Sequence, residues 1–104
     1  MAQFDVHHNP NSASAKNIPF LLNVQSDLLN GLSTRVVVSL ARQAAIGKPA
    51  HFLSPALDIE GEKFVMLTPE MAGIPVKRLG QVVTAVAGRR ADIIRALDIV
   101  FSGV

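Results

Sequence analysis

The stretch GRRADIIRALDIVFSGV, from Gly88 to Val104, predicts the long helix around which we expect the rest of the chain to be organised. Apolar residues recur in it at the spacing of a single helical face. The predicted members of that face are Ile93, Ile94, Leu97, Val100 and Phe101. On the opposite face, ion pairs are expected between Asp92 and Arg95 and between Arg95 and Asp98. One face is therefore predicted to join a core and the other to meet solvent.

Length and composition predict a single domain over residues 1–104. A chain of this size buries roughly two thirds of its unfolded surface, so it needs no metal or disulfide. It has no cysteine, which fits a reducing compartment. Neither a signal peptide nor an apolar stretch of membrane-spanning length is present in the sequence. We therefore expect a cytoplasmic protein without a membrane segment.

The charge pattern argues against direct binding to nucleic acid. The formal net charge is +2, and the bases are spread along the chain except for two doublets, Lys77-Arg78 and Arg89-Arg90. No tyrosine or tryptophan is available to stack on bases. Apolar residues make up 49% of the chain, which favours self-association or a protein partner.

Short apolar runs between turn residues predict β-strands in the first half of the chain. Runs at 2–7 and 18–24 are expected to pair as a wide hairpin. The run at 34–40 contains Val36-Val37-Val38, which suits a central strand covered on both faces. Leu28 and Leu29 lie between turn residues, so this pair requires either burial or a partner.

The second half is predicted to continue the sheet. We expect a structured loop at 41–52 and a hairpin that turns at Glu60-Gly61. Pro69 and Pro75 predict an edge strand or a bulge rather than continuous central pairing, and a short strand is favoured within 76–87. The predicted fold is mainly β (β-rich α+β): a small antiparallel barrel closed by a C-terminal α-helix.

No arrangement of residues predicts catalysis or metal binding. His51, Ser54 and Asp58 lack the sequence context of a hydrolase triad, and His7 and His8 point to opposite faces of a strand. Glu60 and Glu62 flank a turn, where solvated carboxylates are the ordinary finding. The expectation is therefore a protein that is not an enzyme and has no cofactor.

Several short motifs, taken in order, resemble those of the CcdB family. They are Phe4 with Asn9-Pro10, Val24-Gln25-Ser26-Asp27-Leu28-Leu29, Arg35-Val36-Val37, Leu40-Ala41, Leu53 before Pro55, Gly61, Thr68, Met71-Ala72, Ile74-Pro75 and Phe101-x-Gly103-Val104. The resemblance runs essentially from end to end. CcdB proteins are toxins of bacterial toxin–antitoxin modules, which serve plasmid maintenance.

This resemblance implies a homodimer of SH3-like barrels that poisons DNA gyrase by binding its A subunit. It implies an antitoxin whose disordered C-terminal tail folds onto the toxin. The residues implied to bind gyrase are Leu28, Leu29, Asp98, Phe101, Ser102, Gly103 and Val104.

Ser102 departs from the family pattern. A well-known plasmid toxin of the family has tryptophan there, whose ring stacks on an arginine of gyrase, and it has asparagine at the position of Asp98. Serine has no aromatic face, and losing such an anchor costs roughly 2 kcal/mol or more. A non-toxic or retargeted CcdB-like binding protein is therefore an alternative. A MazF-like endoribonuclease is a further alternative, because that family shares the barrel and Arg35 lies beside a valine run.

Overall fold

Six antiparallel strands curl into a nearly closed barrel, and a helix packs against them, in the computed structural model. The structure describes residues 2–46 and 54–103. The predicted fold class, a β-rich α+β barrel with a C-terminal helix, is confirmed. The residues outside this description include the second half of the loop predicted at 41–52, with His51, and also Leu53 and Val104.

The element bounds differ from the predicted ones by a few residues. The strands are β1 Asp5–His8, β2 Phe20–Asn23, β3 Thr34–Arg42, β4 Ala56–Ile59, β5 Glu62–Pro75 and β6 Val82–Ala85. The α-helices are α1 Gln43–Ile46 and α2 Arg90–Ser102. Short 3₁₀ turns occur at Asp27–Leu29, Val76–Arg78 and Ala87–Arg89. The sheet order is β4-β5-β3-β2-β1-β6.

The predicted pairing of the first two strands is confirmed. Val6 lies opposite Leu22 in an antiparallel ladder, and the turn-rich segment between the two strands forms a wide connection. β1 also pairs with β6, with a register shift between Val6 and His7. Such bulges increase the local twist, which helps a short sheet to curl toward closure.

Strand β3 is central, as its valine run predicts. It pairs with β2 on one side and with β5 on the other. Val37 and Val38 point to opposite faces, and both are buried. Both faces of this strand are therefore covered.

Strand β5 corrects the expectation that prolines would interrupt the pairing. It runs for 14 residues through Pro69 to Pro75 and pairs with β3 on both sides of an irregularity. The register shifts between Val38 and Leu40, opposite the segment that contains Pro69. The predicted bulge is thus present, and it absorbs the proline without ending the strand.

The hairpin predicted at Glu60-Gly61 joins β4 to β5. Leu57 lies opposite Phe64, and Ile59 lies opposite Glu62. Glu60 and Gly61 have φ angles of 52° and 81°. Two successive residues with positive φ are typical of the tight turn that matches the twist of a hairpin, and glycine adopts this conformation without strain.

Helix α2 packs on the core with a different phase from the predicted one. Ile93 and Ala96 are buried in the core cluster, and Ile94 and Leu97 pack against it while partly buried. Phe101, expected to end the buried stripe, is 73% exposed. At 100° per residue Phe101 lies on the same side of the helix as Ile94 and Leu97, so its exposure is decided by the packing at the end of the helix and not by the helical period.

We expect Ile93→Ala to lower the free energy of unfolding by about 2–5 kcal/mol, because it leaves a cavity under the helix. Phe101→Ala is the matched control at an exposed position of the same helix, with an expected change within about 0.5 kcal/mol. Urea denaturation monitored by circular dichroism measures both. Equal losses in the two variants would contradict the observed burial of Ile93 and exposure of Phe101.

Candidate functional site

The last turn of α2 presents four of the seven sequence-predicted site residues, and each of them is exposed. They are Asp98, Phe101, Ser102 and Gly103. Gly103 adopts a left-handed conformation with φ of 76°, and its N–H donates to the carbonyl of Ile99. This is a glycine C-cap, so Gly103 has a structural reason for its identity in addition to any role in binding.

Ser102 is used within the helix. Its Oγ donates to the backbone carbonyl of Asp98 at 2.8 Å, the bond back to the preceding turn that serine commonly makes in helices. The prediction that its side chain lies outside the core is confirmed. The aromatic side chain of this turn is that of Phe101, directly before Ser102.

The outer face of α2 forms a shallow groove of about 510 Å³ next to this turn. It is lined by Arg90, Ala91, Ile94, Arg95 and Asp98. The predicted ion pairs of Arg95 are wrong, because Asp92 pairs with Arg89 at 2.9 Å instead. Within the described residues, Arg95 and Asp98 form no ion pair, so both charges face solvent beside the groove.

The segment 26–32, called here the leucine loop, exposes three leucines. Leu28 is 93% exposed, Leu32 is 53% exposed and Leu29 is 49% exposed. The sequence identified Leu28 and Leu29 as in need of burial or a partner, and the fold does not bury them. Leu32 was missed, although its position after Gly31 in a turn-rich segment could have indicated it.

The leucine loop is held firmly although its leucines are exposed. Ser26 caps the 3₁₀ turn by accepting from the N–H of Leu28. Arg35 is 5% exposed and donates to the backbone carbonyls of Asn30, Leu32 and Thr34 at 2.7–2.9 Å. The side chain of Gln25 adds bonds to the carbonyls of Leu29 and Thr34. The exposed leucines are therefore presented on an ordered backbone.

Gln3 links the leucine loop to the first turn of α2. Its N–H donates to Asp27 Oδ1 at 2.7 Å, and its side-chain oxygen accepts from Arg90 Nη1 at 3.0 Å. Arg90 also lies over the ring of Phe4, 5.4 Å from its centroid. The last turn lies about 16 Å further along the helix axis. The two predicted parts of the site are thus associated with opposite ends of the helix.

The side chains considered for catalysis remain dispersed within the described residues. His7 is buried and its Nδ1–H donates to the carbonyl of Gly80, whereas His8 is exposed, so the two rings lie on opposite faces as predicted. Glu62 pairs with Arg42. In the parts of the chain that the structure describes, no three metal-binding side chains cluster, and no helix is long and apolar enough to cross a bilayer.

The comparison with known protein families gives one match. The family model described as CcdB protein matches residues 3–103 of the chain. This range contains all six strands and helix α2. Proteins of that family are the toxins of toxin–antitoxin modules and act on DNA gyrase.

We expect Arg35→Ala to lower the free energy of unfolding by about 1.5–3 kcal/mol, because it removes three part-buried hydrogen bonds from a charged donor. Faster amide hydrogen exchange at 28–32 should accompany the loss. Arg42→Ala removes an exposed ion pair and is the control, with an expected loss below about 1 kcal/mol. Unchanged exchange in the loop of the Arg35 variant would show that Arg35 does not hold it.

Proposed function

Because the chain belongs to the CcdB family, we propose that it is a gyrase-directed toxin that binds the gyrase A subunit through the last turn of α2. The observation that carries the proposal is Phe101, which is 73% exposed at the end of an ordered helix. A large aromatic side chain in water gains free energy when a partner buries it. The glycine cap holds the backbone around it in a fixed conformation.

The chemistry of this turn suits an anchor surrounded by polar groups. Phe101 supplies apolar area, Asp98 and Arg95 supply charges that have no ion-pair partner among the described residues, and Ser102 is small. Binding surfaces concentrate their free energy in a few buried aromatic or arginine contacts surrounded by such a rim. We propose that Phe101 takes over part of the role that tryptophan has at the next position in the plasmid toxin.

The leucine loop is proposed as a second contact region for gyrase. Leu28 and Leu29 are aliphatic, exposed and fixed by the hydrogen bonds of Ser26 and Gln25. An ordered loop loses little conformational entropy when it binds, so each contact yields more affinity. Because the loop and the last turn lie at different ends of α2, the proposed partner surface is extended.

We propose that an antitoxin with a disordered C-terminal tail neutralises the protein and that the toxin itself is a homodimer. Exposed apolar residues on both the leucine loop and α2 offer the separate contacts that a tail folding on binding requires. The protein is proposed to act in the cytoplasm as a binding protein without catalysis.

A second candidate is a non-toxic or retargeted binding protein of the same fold. The observation that favours it is the hydroxyl of Ser102, which bonds back to its own helix instead of offering a surface to gyrase. The endoribonuclease alternative has less support, because the guanidinium of Arg35 is committed to three backbone carbonyls and faces no phosphate site.

We expect Ser102→Trp to tighten binding to the gyrase A subunit at least tenfold, because it adds a rigid aromatic surface at an exposed position. Growth arrest in cells without the antitoxin should increase in parallel. Phe101→Ala should weaken binding at least tenfold while leaving stability nearly unchanged. Titration of the purified gyrase A subunit by calorimetry measures the affinity of each variant.

Removal of Gly103 and Val104 is the control for this experiment. Toxicity that persists in the truncated protein would refute the terminal site. Unchanged affinity in a folded Ser102→Trp protein would indicate a different target or a different recognition surface.

The homodimer predicts a mass near twice 11.1 kDa by light scattering at micromolar concentration. Exposed leucines and phenylalanine on the single chain provide the apolar surface that favours association. A strictly monomeric mass over this concentration range would contradict the homodimer.

A further inference from the structure

The leucine loop contains the one Asn-Gly pair of the sequence, Asn30-Gly31. Both residues are exposed, so water and hydroxide reach the peptide group that joins them. The side-chain amide of asparagine can be attacked by the backbone nitrogen of the following residue, which makes asparagine a chemically labile residue. Glycine hinders this attack least, because it has no Cβ. The pair therefore places a reactive amide beside the most accessible kind of backbone nitrogen.

The other four asparagines are less suited to this reaction. Asn9 precedes a proline, which has no N–H. Asn17 and Asn23 precede β-branched residues, whose side chains shield the backbone nitrogen. Asn11 precedes a serine, and its side-chain oxygen accepts from the N–H of Ala13 at 3.0 Å. The Asn-Gly pair is thus the expected position of reaction.

The backbone at position 31 does not require glycine. Among the described residues, glycine has a positive φ at Gly61 and Gly103 and not at Gly31. Apart from its chain neighbours, a Cβ added to Gly31 would have no atom within 4 Å. Alanine therefore fits at this position, and a Gly31→Ala variant changes the chemistry of the pair without changing the loop.

The observed conformation of Asn30 opposes the reaction. Its φ is −64° and its ψ is −15°. The attack closes a five-membered ring, which requires the Gly31 nitrogen to eclipse the Cβ of Asn30. At the observed ψ this nitrogen nearly eclipses the backbone nitrogen of Asn30 instead. The peptide group must therefore rotate about the Cα–C bond of Asn30 before the ring can close.

Arg35 opposes this rotation. Because the peptide group is planar, the carbonyl oxygen of Asn30 turns together with the Gly31 nitrogen. That oxygen accepts from Arg35 Nη2 at 2.9 Å, and the guanidinium is fixed in turn by the carbonyls of Leu32 and Thr34. Hydrogen bonds from a charged donor are stronger than neutral ones. Arg35 therefore stabilises the unreactive conformation of Asn30.

We propose that Asn30 is a site of spontaneous deamidation and that Arg35 sets its rate by holding this peptide group. Once the group has turned, the Gly31 nitrogen bonds to Cγ of Asn30 and the Cγ–Nδ2 bond breaks. The proton of the Gly31 nitrogen leaves with Nδ2 as ammonia. Water then opens the succinimide, giving aspartate by attack at Cγ or isoaspartate by attack at the backbone carbonyl.

Either product alters the leucine loop. Both place a new carboxylate after Asp27, whose carbonyl accepts from the N–H of Asn30. Isoaspartate also adds a carbon atom to the main chain at position 30. The carbonyls of residues 30 and 32 then no longer match the planar donors of Arg35. The order of the loop is thus expected to decline irreversibly as the protein ages.

Incubation of the folded protein in mildly alkaline buffer tests the proposal. Peptide mass spectrometry follows the mass gain at each asparagine, and isoaspartyl methyltransferase labels isoaspartate. Asn30 should react before the other asparagines. In Arg35→Ala its rate should rise at least about tenfold, because losing a bond from a charged donor shifts the opening equilibrium by about that factor. Gly31→Ala should nearly abolish the reaction.

Ile93→Ala is the matched control for lost stability, because it destabilises the core without touching the leucine loop. Its rate at Asn30 should stay near that of the wild type. Equal acceleration in Ile93→Ala and Arg35→Ala would overturn the role of Arg35, by showing that the reaction follows global unfolding. Faster reaction at Asn11 than at Asn30, or no reaction at Asn30 in Arg35→Ala, would overturn the site.

Arg35→Lys serves the same comparison if Arg35→Ala does not fold. Lysine keeps the charge but lacks the planar fork that holds several carbonyls at once, so acceleration at Asn30 is again expected. An unchanged rate in folded Arg35→Lys together with an unchanged rate in folded Arg35→Ala would refute the control by Arg35. The reaction needs no partner, so gyrase binding has no bearing on these outcomes.

Discussion

The pairing of β3 with β5 is the constraint on which the rest of the structure depends. β3 lies at the centre of the sheet, and its two faces carry Val37 and Val38 into different buried layers. The bulge between Val38 and Leu40 lets one long β5 follow β3 around the barrel instead of ending at Pro69. Barrel closure therefore depends on this irregularity in the register of β3 with β5.

The functional surfaces are consequences of how this barrel is covered. Helix α2 supplies Ile93 and Ala96 to the core, and Phe101 at its last turn stays exposed. Arg35, on β3, holds the leucine loop by bonding its carbonyls. The buried guanidinium of Arg35 therefore has a structural role in ordering the leucine loop.

The exposed apolar side chains form two separate patches on an ordered backbone. The proposed gyrase contacts lie on these patches, one on the leucine loop and one at the end of α2. Burial of the exposed leucines and of Phe101 by a partner is the proposed source of affinity.

The sequence by itself determined the elements whose signals are local. The alternation around Val6, the valine run of β3, the turn at Glu60-Gly61 and the apolar helix each depend on near neighbours. The short motifs that resemble the CcdB family are also local and were recognised from the sequence. The tertiary structure decided what depends on distant contacts: which residues of α2 face the barrel, how β5 passes Pro69, and where Arg35 finds acceptors. Helical spacing places Phe101 on the same side as Ile94 and Leu97, and only the tertiary packing decides that these two side chains are partly buried while Phe101 is exposed.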